Sequence, residues 1–103
     1  MDPSKPTYSL ARIKKLLCSS SSYRITVEAQ KGAASLGYMD EGAILDVIEC
    51  IQETDFYKSM QSTKVITLWQ DVYRVTHCGE ELYIKLQISA NNKKAVIIQF
   101  KAR

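Results

Sequence analysis

The chain has 103 residues, of which 46% are hydrophobic and 24% charged, and its formal net charge is +3. Those proportions describe an ordinary soluble globular protein with enough chain for one core, so a single domain over residues 1–103 is expected. They exclude wholesale disorder and collagen-like or coiled-coil architecture, and no apolar run nears the roughly 20 residues that cross a bilayer.

Met1 to Thr7 carries prolines at Pro3 and Pro6 and no apolar segment. Residues 1–7 therefore read as a loose lead-in rather than a secretory signal. Ser9 is placed to cap a helix beginning at Leu10, whose Leu10, Ile13 and Leu17 share one face, with Arg12, Lys14 and Lys15 on the other. The serine run Ser19–Ser22 ends it, because serine competes for backbone hydrogen bonds. Thr26 caps a second helix to about Leu36. Its interior Gly32 costs on the order of 1 kcal/mol against alanine, and Gly37 supplies a C-terminal stop. Asp40 caps a third helix through about Gln52, where Ile44, Val47, Ile48 and Ile51 give the strongest helical periodicity in the chain.

After Asp55 the period changes from 3.6 to 2. Phe56 to Lys64 leans to an extended strand, and Leu68 to Val75 reads as another, followed by a turn around Gly79. Leu82, Ile84, Leu86 and Ile88 alternate with Tyr83, Lys85 and Gln87, as a strand with one buried face requires. Val96, Ile98 and Phe100 alternate with Ile97, Gln99 and Lys101, and Asn91-Asn92 between the two runs suggests a tight hairpin. Helices first and an antiparallel meander of three or four strands afterwards predict an α+β layer fold with helices on one sheet face.

Alternation then decides where polar side chains go. With Leu82, Ile84 and Leu86 turned to the helices, Tyr83 and Lys85 face away, about 7 Å apart along the strand. Gln99 and Lys101 face the same way. An inward set of Trp69, Tyr73 and Val75 leaves Gln70 and Arg74 outward but turns Asp71 inward, which demands a partner or a bulge. The open face thus gathers Gln70, Arg74, Tyr83, Lys85 and Lys101, with Lys58 a further candidate. Residues 56–103 hold eight Lys/Arg against three Asp/Glu, whereas residues 1–55 hold six against eight. Cations for phosphates, an aromatic ring for a base and an amide for a base edge together suit a nucleic-acid strand. The same pattern also describes an exposed sheet face that merely stays soluble.

Two longer blocks go further. Asp55-Phe56-Tyr57-Lys58-Ser59-Met60, followed by Leu68-Trp69-Gln70-Asp71-Val72-Tyr73-Arg74, closely resembles the MqsR family of bacterial toxins. Leu82 to Lys85 and Ile98 to Lys101 look like that family's last two strands, and Ser9 to Leu17 like its first helix, so the likeness covers roughly residues 8–101. It implies a RelE-like fold and the toxin half of a bacterial toxin–antitoxin pair. It implies cleavage of mRNA at short sequences without a metal or other cofactor, arresting translation in the cytoplasm. It also implies a cognate MqsA-like antitoxin with a zinc-binding part and a helix-turn-helix DNA-binding part, so that operator DNA is met only through that complex. The family's active-site lysine, glutamine, tyrosine and C-terminal lysine fall on Lys58, Gln70, Tyr83 and Lys101, with Arg74, Lys85 and Tyr57 as RNA-binding candidates. The segments Val75 to Glu81 and Asn91 to Lys94 depart from the family's pattern, which leaves the cleavage sequence open.

Cleavage without a metal is best served by attack of the 2′-OH on the adjacent phosphate, giving a 2′,3′-cyclic phosphate and a 5′-OH. The single histidine, His77, reads as a surface residue in a turn. An unperturbed lysine titrates near 10.4, so bringing one to about 7 would cost roughly 4–5 kcal/mol. Lys58 and Lys101 are therefore expected to act as fixed cations, Tyr83 as the proton-transfer or orienting hydroxyl and Gln70 as a substrate holder. Trp69, Phe56 and Phe100 are expected in the core, Cys18 and Cys50 as small hydrophobes beside apolar helix faces. An odd set of three cysteines without C-x-x-C spacing argues against a disulfide scaffold or a zinc site and for a reducing compartment. Two other classes fit the same basic face: a non-catalytic RNA- or DNA-binding module, and an interaction protein that recruits a partner at a sheet edge.

Overall fold

In the computed structural model, which describes residues 3–103, the elements run α1 (Leu10–Leu16), β1 (Tyr23–Ile25), α2 (Val27–Ser35), α3 (Glu41–Cys50), β2 (Phe56–Gln61), β3 (Trp69–His77), β4 (Glu80–Ile88) and β5 (Ala95–Ala102). Each α-helix begins where its cap predicts. Side-chain oxygens of Ser9, Thr26 and Asp40 accept from the backbone N–H groups of Arg12, Ala29 and Ala43, donors the helices cannot satisfy internally. Gly37 closes α2 with φ +95°. The apolar faces read from the sequence are buried: Leu10, Ile13 and Leu17 around α1, and Ile44, Val47, Ile48 and Ile51 around α3. Lys14 ties these helices together, its Nζ donating to the carbonyls of Glu49 at 2.9 Å and Ile51 at 2.6 Å, a cation on the last carbonyls of a helix.

The architecture is α+β, a five-stranded sheet in the order β1-β5-β4-β3-β2 with helices on one face. Strands β2 to β5 form the predicted antiparallel meander. Strand β1 was not predicted; at three residues it is too short to display alternation. It pairs parallel to β5, Tyr23 opposite Ala95 and Ile25 opposite Ile97. Thr26 fastens this edge. Its N–H donates to Ile97 O at 3.1 Å, and its hydroxyl donates to Ile98 O at 2.7 Å while accepting from Ala29 N.

Helix α2 lies on β5 through small residues. Ala29 and Ala33 are fully buried, and a Cβ added at Gly32 would stand 2.0 Å from the carbonyl oxygen of Phe100. The glycine that weakens an isolated helix is what permits this approach.

On β4 the alternation holds, and Leu82, Ile84, Leu86 and Ile88 enter the core. On β5 it fails for a definable reason. Lys85 opposes Gln99 while Leu86 opposes Ile97, so Ile98 is an extra residue in a bulge. Beyond it the parity reverses: Phe100, Ile97 and Ala95 join the core, and Val96, predicted inward, turns to the open face with Gln87.

The turns differ as well. Cys78 (φ 51°) and Gly79 (φ 82°) make a two-residue turn between paired His77 and Glu80. The connection predicted as tight at Asn91-Asn92 is instead the loop 89–94, closed by Ser89 N donating to Lys94 O at 2.8 Å, with Asn92 at φ 65°.

Asp71 faces inward as predicted, and the lead-in supplies its partners. Oδ1 accepts from Thr7 N at 3.0 Å and Oδ2 from Tyr8 N at 2.9 Å, while the Thr7 and Ser59 hydroxyls are 2.7 Å apart. Ser59 N also donates to Pro3 O at 2.8 Å. Of the lead-in expected to hang loose, residues 3–7 are thus strapped along β2, because a buried carboxylate at Asp71 needs donors that the sheet does not offer, while Met1 and Asp2 lie outside the described residues. Trp69, expected in the core, is half-buried at the start of β3, and Cys18 and Cys50, expected to be sheltered, are exposed with Cys78.

Candidate active site on the open sheet face

The register arranges the polar residues of the uncovered face in rows across the strands. One row runs Lys58, Val72, Lys85, Gln99, from β2 to β5. Beside it lies Arg74, Tyr83, Lys101, and on the other side Gln70 and Gln87 meet, with Gln70 Nε2 donating to Gln87 Oε1 at 3.3 Å. Strands that alternate and pair in register can do nothing else with these side chains once Leu82, Ile84 and Leu86 are committed to the core.

Local irregularities refine the pattern. A register shift between Phe56 and Lys58 leaves Tyr57 as the extra residue of a bulge in β2. Its ring lies 4.4 Å from the Arg74 guanidinium carbon and 5.4 Å from Lys58 Nζ. Lys101 Nζ sits 4.9 Å from the centre of the Tyr83 ring. Each aromatic face holds cations in place by its quadrupole, at a separation where this is worth about 0.5–1 kcal/mol on an exposed surface.

Lys85 is at the centre. Burial pushes its ammonium below the ordinary lysine range, Lys101 and Lys58 push the same way by charge repulsion, and Glu28 opposes them. The lysines of β2 and β5 thus both act on the lysine of β4. Glu28, from α2, also accepts from Gln99 Nε2 at 3.3 Å and so brings one anion to the rim.

A cleft of about 510 Å3 opens from this surface. Its floor includes Gln70, Lys85, Gln87 and Gln99; one wall is the β2–β3 connection from Ser62 to Val65 with Leu68, and the other is Arg24 with Thr26, Val27 and Glu28. Lys58, Tyr83 and Lys101 do not line it. They stand on the adjoining sheet surface, related to Lys85 by strand register. His77 is elsewhere, at the end of β3 on the helix-covered face, with Nδ1 3.2 Å from the Tyr38 hydroxyl. Among the described residues no three His, Cys, Asp or Glu side chains group as metal ligands.

A family model described as "Motility quorum-sensing regulator, toxin of MqsA" matches residues 5–102. The chain belongs to this MqsR toxin family. A curated relative, the mRNA interferase toxin MqsR of Escherichia coli (strain K12), is 33% identical over 103 residues and is matched along 100% of both chains. None of the described helices is long and apolar enough to cross a membrane.

In this MqsR-family chain the positions expected for the active site, Lys58, Gln70, Tyr83 and Lys101, share one sheet face, together with Arg74, Lys85 and Tyr57. They divide into two groups joined by Lys85: the cationic surface with Tyr83, and the cleft floor with Gln70. Gln70 is 8% exposed, far less than an outward-facing glutamine suggests. Three cleft residues escaped the sequence reading. Gln87 had a visible signal, since the alternation that exposed Tyr83 and Lys85 also put it on that face. Arg24 and Glu28 had none, because their position depends on β1 pairing with a strand far along the chain.

Proposed function

We propose that this chain is the toxin of a bacterial type II toxin–antitoxin pair, a metal-independent endoribonuclease that cuts mRNA at short sequences and arrests translation. The observation that carries the reading is the joint one: a family match over residues 5–102, and Lys58, Lys85 and Lys101 with Tyr83 placed by strand register on the uncovered face of the sheet. Cations crowded at that density are stabilised by a polyanion.

In the step envisaged, the 2′-oxygen bonds to phosphorus as the P–O5′ bond breaks. The 2′-OH loses a proton and the 5′-oxygen gains one, leaving a 2′,3′-cyclic phosphate and a 5′-OH. Lys58 and Lys101 act as fixed cations on the five-coordinate phosphorus. One cation about 4 Å from the developing charge is worth on the order of 4 kcal/mol at a surface-like dielectric, roughly three orders of magnitude in rate. Tyr83 serves as the proton-transfer or orienting hydroxyl, Gln70 holds substrate in the cleft, and Arg74, Lys85 and Tyr57 bind flanking phosphates and a base. The antitoxin partner is a zinc-binding protein with a helix-turn-helix DNA-binding part, and operator DNA is reached only through it. The cytoplasm, where mRNA is met, is the site of action.

The test is incubation of the purified chain with an end-labelled transcript in EDTA. Discrete cuts ending in cyclic phosphate are expected. A salt-sensitive mobility shift with an intact transcript would replace the enzyme by a binding module. Lys58→Ala and Tyr83→Ala should each abolish cutting with little change in thermal midpoint; a folded variant that still cuts removes that residue from the site.

A further inference from the structure

We infer that Gln87, acting with Gln70, forms a base-reading subsite on the cleft floor that sets the nucleotide preference of the cut. The inference rests on the ribonuclease reading above and adds to it the residue that selects the sequence.

Gln87 is 8% exposed, on β4, two positions from Lys85 on the same face and therefore about 7 Å from it. That distance suits a phosphate on the lysine and the base of a neighbouring nucleotide on the glutamine. Gln70 and Gln87 share one hydrogen bond, which occupies one donor and one acceptor. Among the described residues every fully buried side-chain nitrogen or oxygen has a partner. The remaining groups, Gln70 Oε1 and Gln87 Nε2, have no other partner there and are therefore reached from the cleft that both residues line. If the two amides are turned over together, the shared bond persists with its direction reversed, and one donor and one acceptor still face the cleft. The pair thus displays a side-by-side donor and acceptor in either amide orientation. An unpaired base offers the complement on its Watson–Crick edge. Leu68 and Ile98 line the same cleft and offer apolar surface for a ring.

A carboxylate at position 87 gives a sharper expectation. Gln87→Glu can only accept, so Gln70 must donate to it and turn its own oxygen to the cleft. Two acceptors then face the base, the complement of the guanine edge with its N1–H and N2–H donors. Gln87→Leu keeps the volume and removes the hydrogen bonds.

The experiment measures cleavage rates of a panel of short RNAs carrying each base at each position around the cut, for the wild type, Gln87→Leu and Gln87→Glu, with thermal midpoints recorded. The wild type is expected to discriminate at one position by roughly tenfold or more, as a good bidentate base contact does. Gln87→Leu should flatten that position alone, and Gln87→Glu should shift it toward guanine. An unchanged preference profile in a folded variant overturns the inference, as does a uniform fall at every position. Should neither variant fold, the wild type is given RNAs in which one donor or acceptor of the base is deleted by an analogue. Loss confined to one position supports the subsite, and equal cutting of all analogues overturns it. A wild type that cuts none of the panel but cuts no transcript either fails as a nuclease, which is a different result from a nuclease indifferent to position 87.

Discussion

Gly32→Ala sets local propensity against packing, and the two predict opposite signs. In an isolated helix the added methyl is worth about 1 kcal/mol of stabilisation. In the fold it would stand 2.0 Å from Phe100 O, more than 1 Å inside ordinary contact. The obstacle is the backbone of β5, which is held by its pairing with β4, so relief requires α2 to lift off β5. A gap of 0.5–1 Å forfeits a quarter to a half of each dispersion contact, and Ala29 and Ala33, both fully buried, lie on that interface. Inserting a methyl into a close-packed site costs about 1–3 kcal/mol where side chains can yield, and more is expected where they cannot. The net expectation is destabilisation by about 2 kcal/mol or more, a fall in Tm of roughly 8 °C or more for a domain of this size. Urea denaturation of the variant and wild type, with equal slopes required, measures it. A variant stabilised by about 1 kcal/mol would show that α2 does not rest on β5 as described.

Asp71→Ala should cost about 2–4 kcal/mol by leaving the Thr7 and Tyr8 N–H groups without their acceptor, and hydrogen exchange at those two amides should accelerate; protection that survives would mean the strap is held by something else. Tyr73, 1% exposed, has its hydroxyl pushed up to about 12, first by burial and then by Asp71 and Glu53. Because the folded value lies above the unfolded one near 10, the stability it contributes is complete below pH 10 and is lost between pH 10 and about 12. Relative to Tyr73→Phe, the wild type should therefore lose about 1.4 kcal/mol by pH 11 in parallel denaturation curves; parallel curves with a constant offset would contradict this. Lys85 loses its proton below the ordinary lysine range because of burial and the neighbouring Lys101 and Lys58, partly offset by Glu28. RNA phosphate favours the charged form, so affinity for a non-cleavable RNA should weaken as pH rises through that depressed value, and Lys85→Arg should flatten the profile. A wild-type affinity independent of pH up to the ordinary lysine range would refute the central placement of Lys85.

Much of this molecule could be read from pattern because its signals are local. The three caps, the apolar faces of α1 and α3, and the alternation on β4 each depend on residues a few positions apart, and each appears as expected. What could not be read depends on distance or on a single inserted residue. The β5 bulge at Ile98 leaves no mark in a run of Val, Ile and Phe, yet it exchanges Val96 for Ile97 in the core. Strand β1 exists because β5 is there to receive it. The open-face position of Tyr83, Lys85 and Lys101 followed from β4 and from the part of β5 beyond the bulge, so that half of the candidate site was legible. The partial burial of Gln70 was not, because the wall that narrows the cleft comes from the connection after β2.

The parallel seam between β1 and β5 gives the sheet an uneven seam strength. Strands β2 to β5 are joined by neighbouring connections, whereas the Thr26–Ile98 bond spans 72 positions and three residue pairs carry the ladder beside it. The ladder of β1 is short, but α2 follows it at once, and Ala29, Gly32 and Ala33 seat that helix on β5. The rim bearing Arg24 and Glu28 is therefore held by packing, whereas Tyr83, Lys85 and Lys101 are spaced by strand pairing alone.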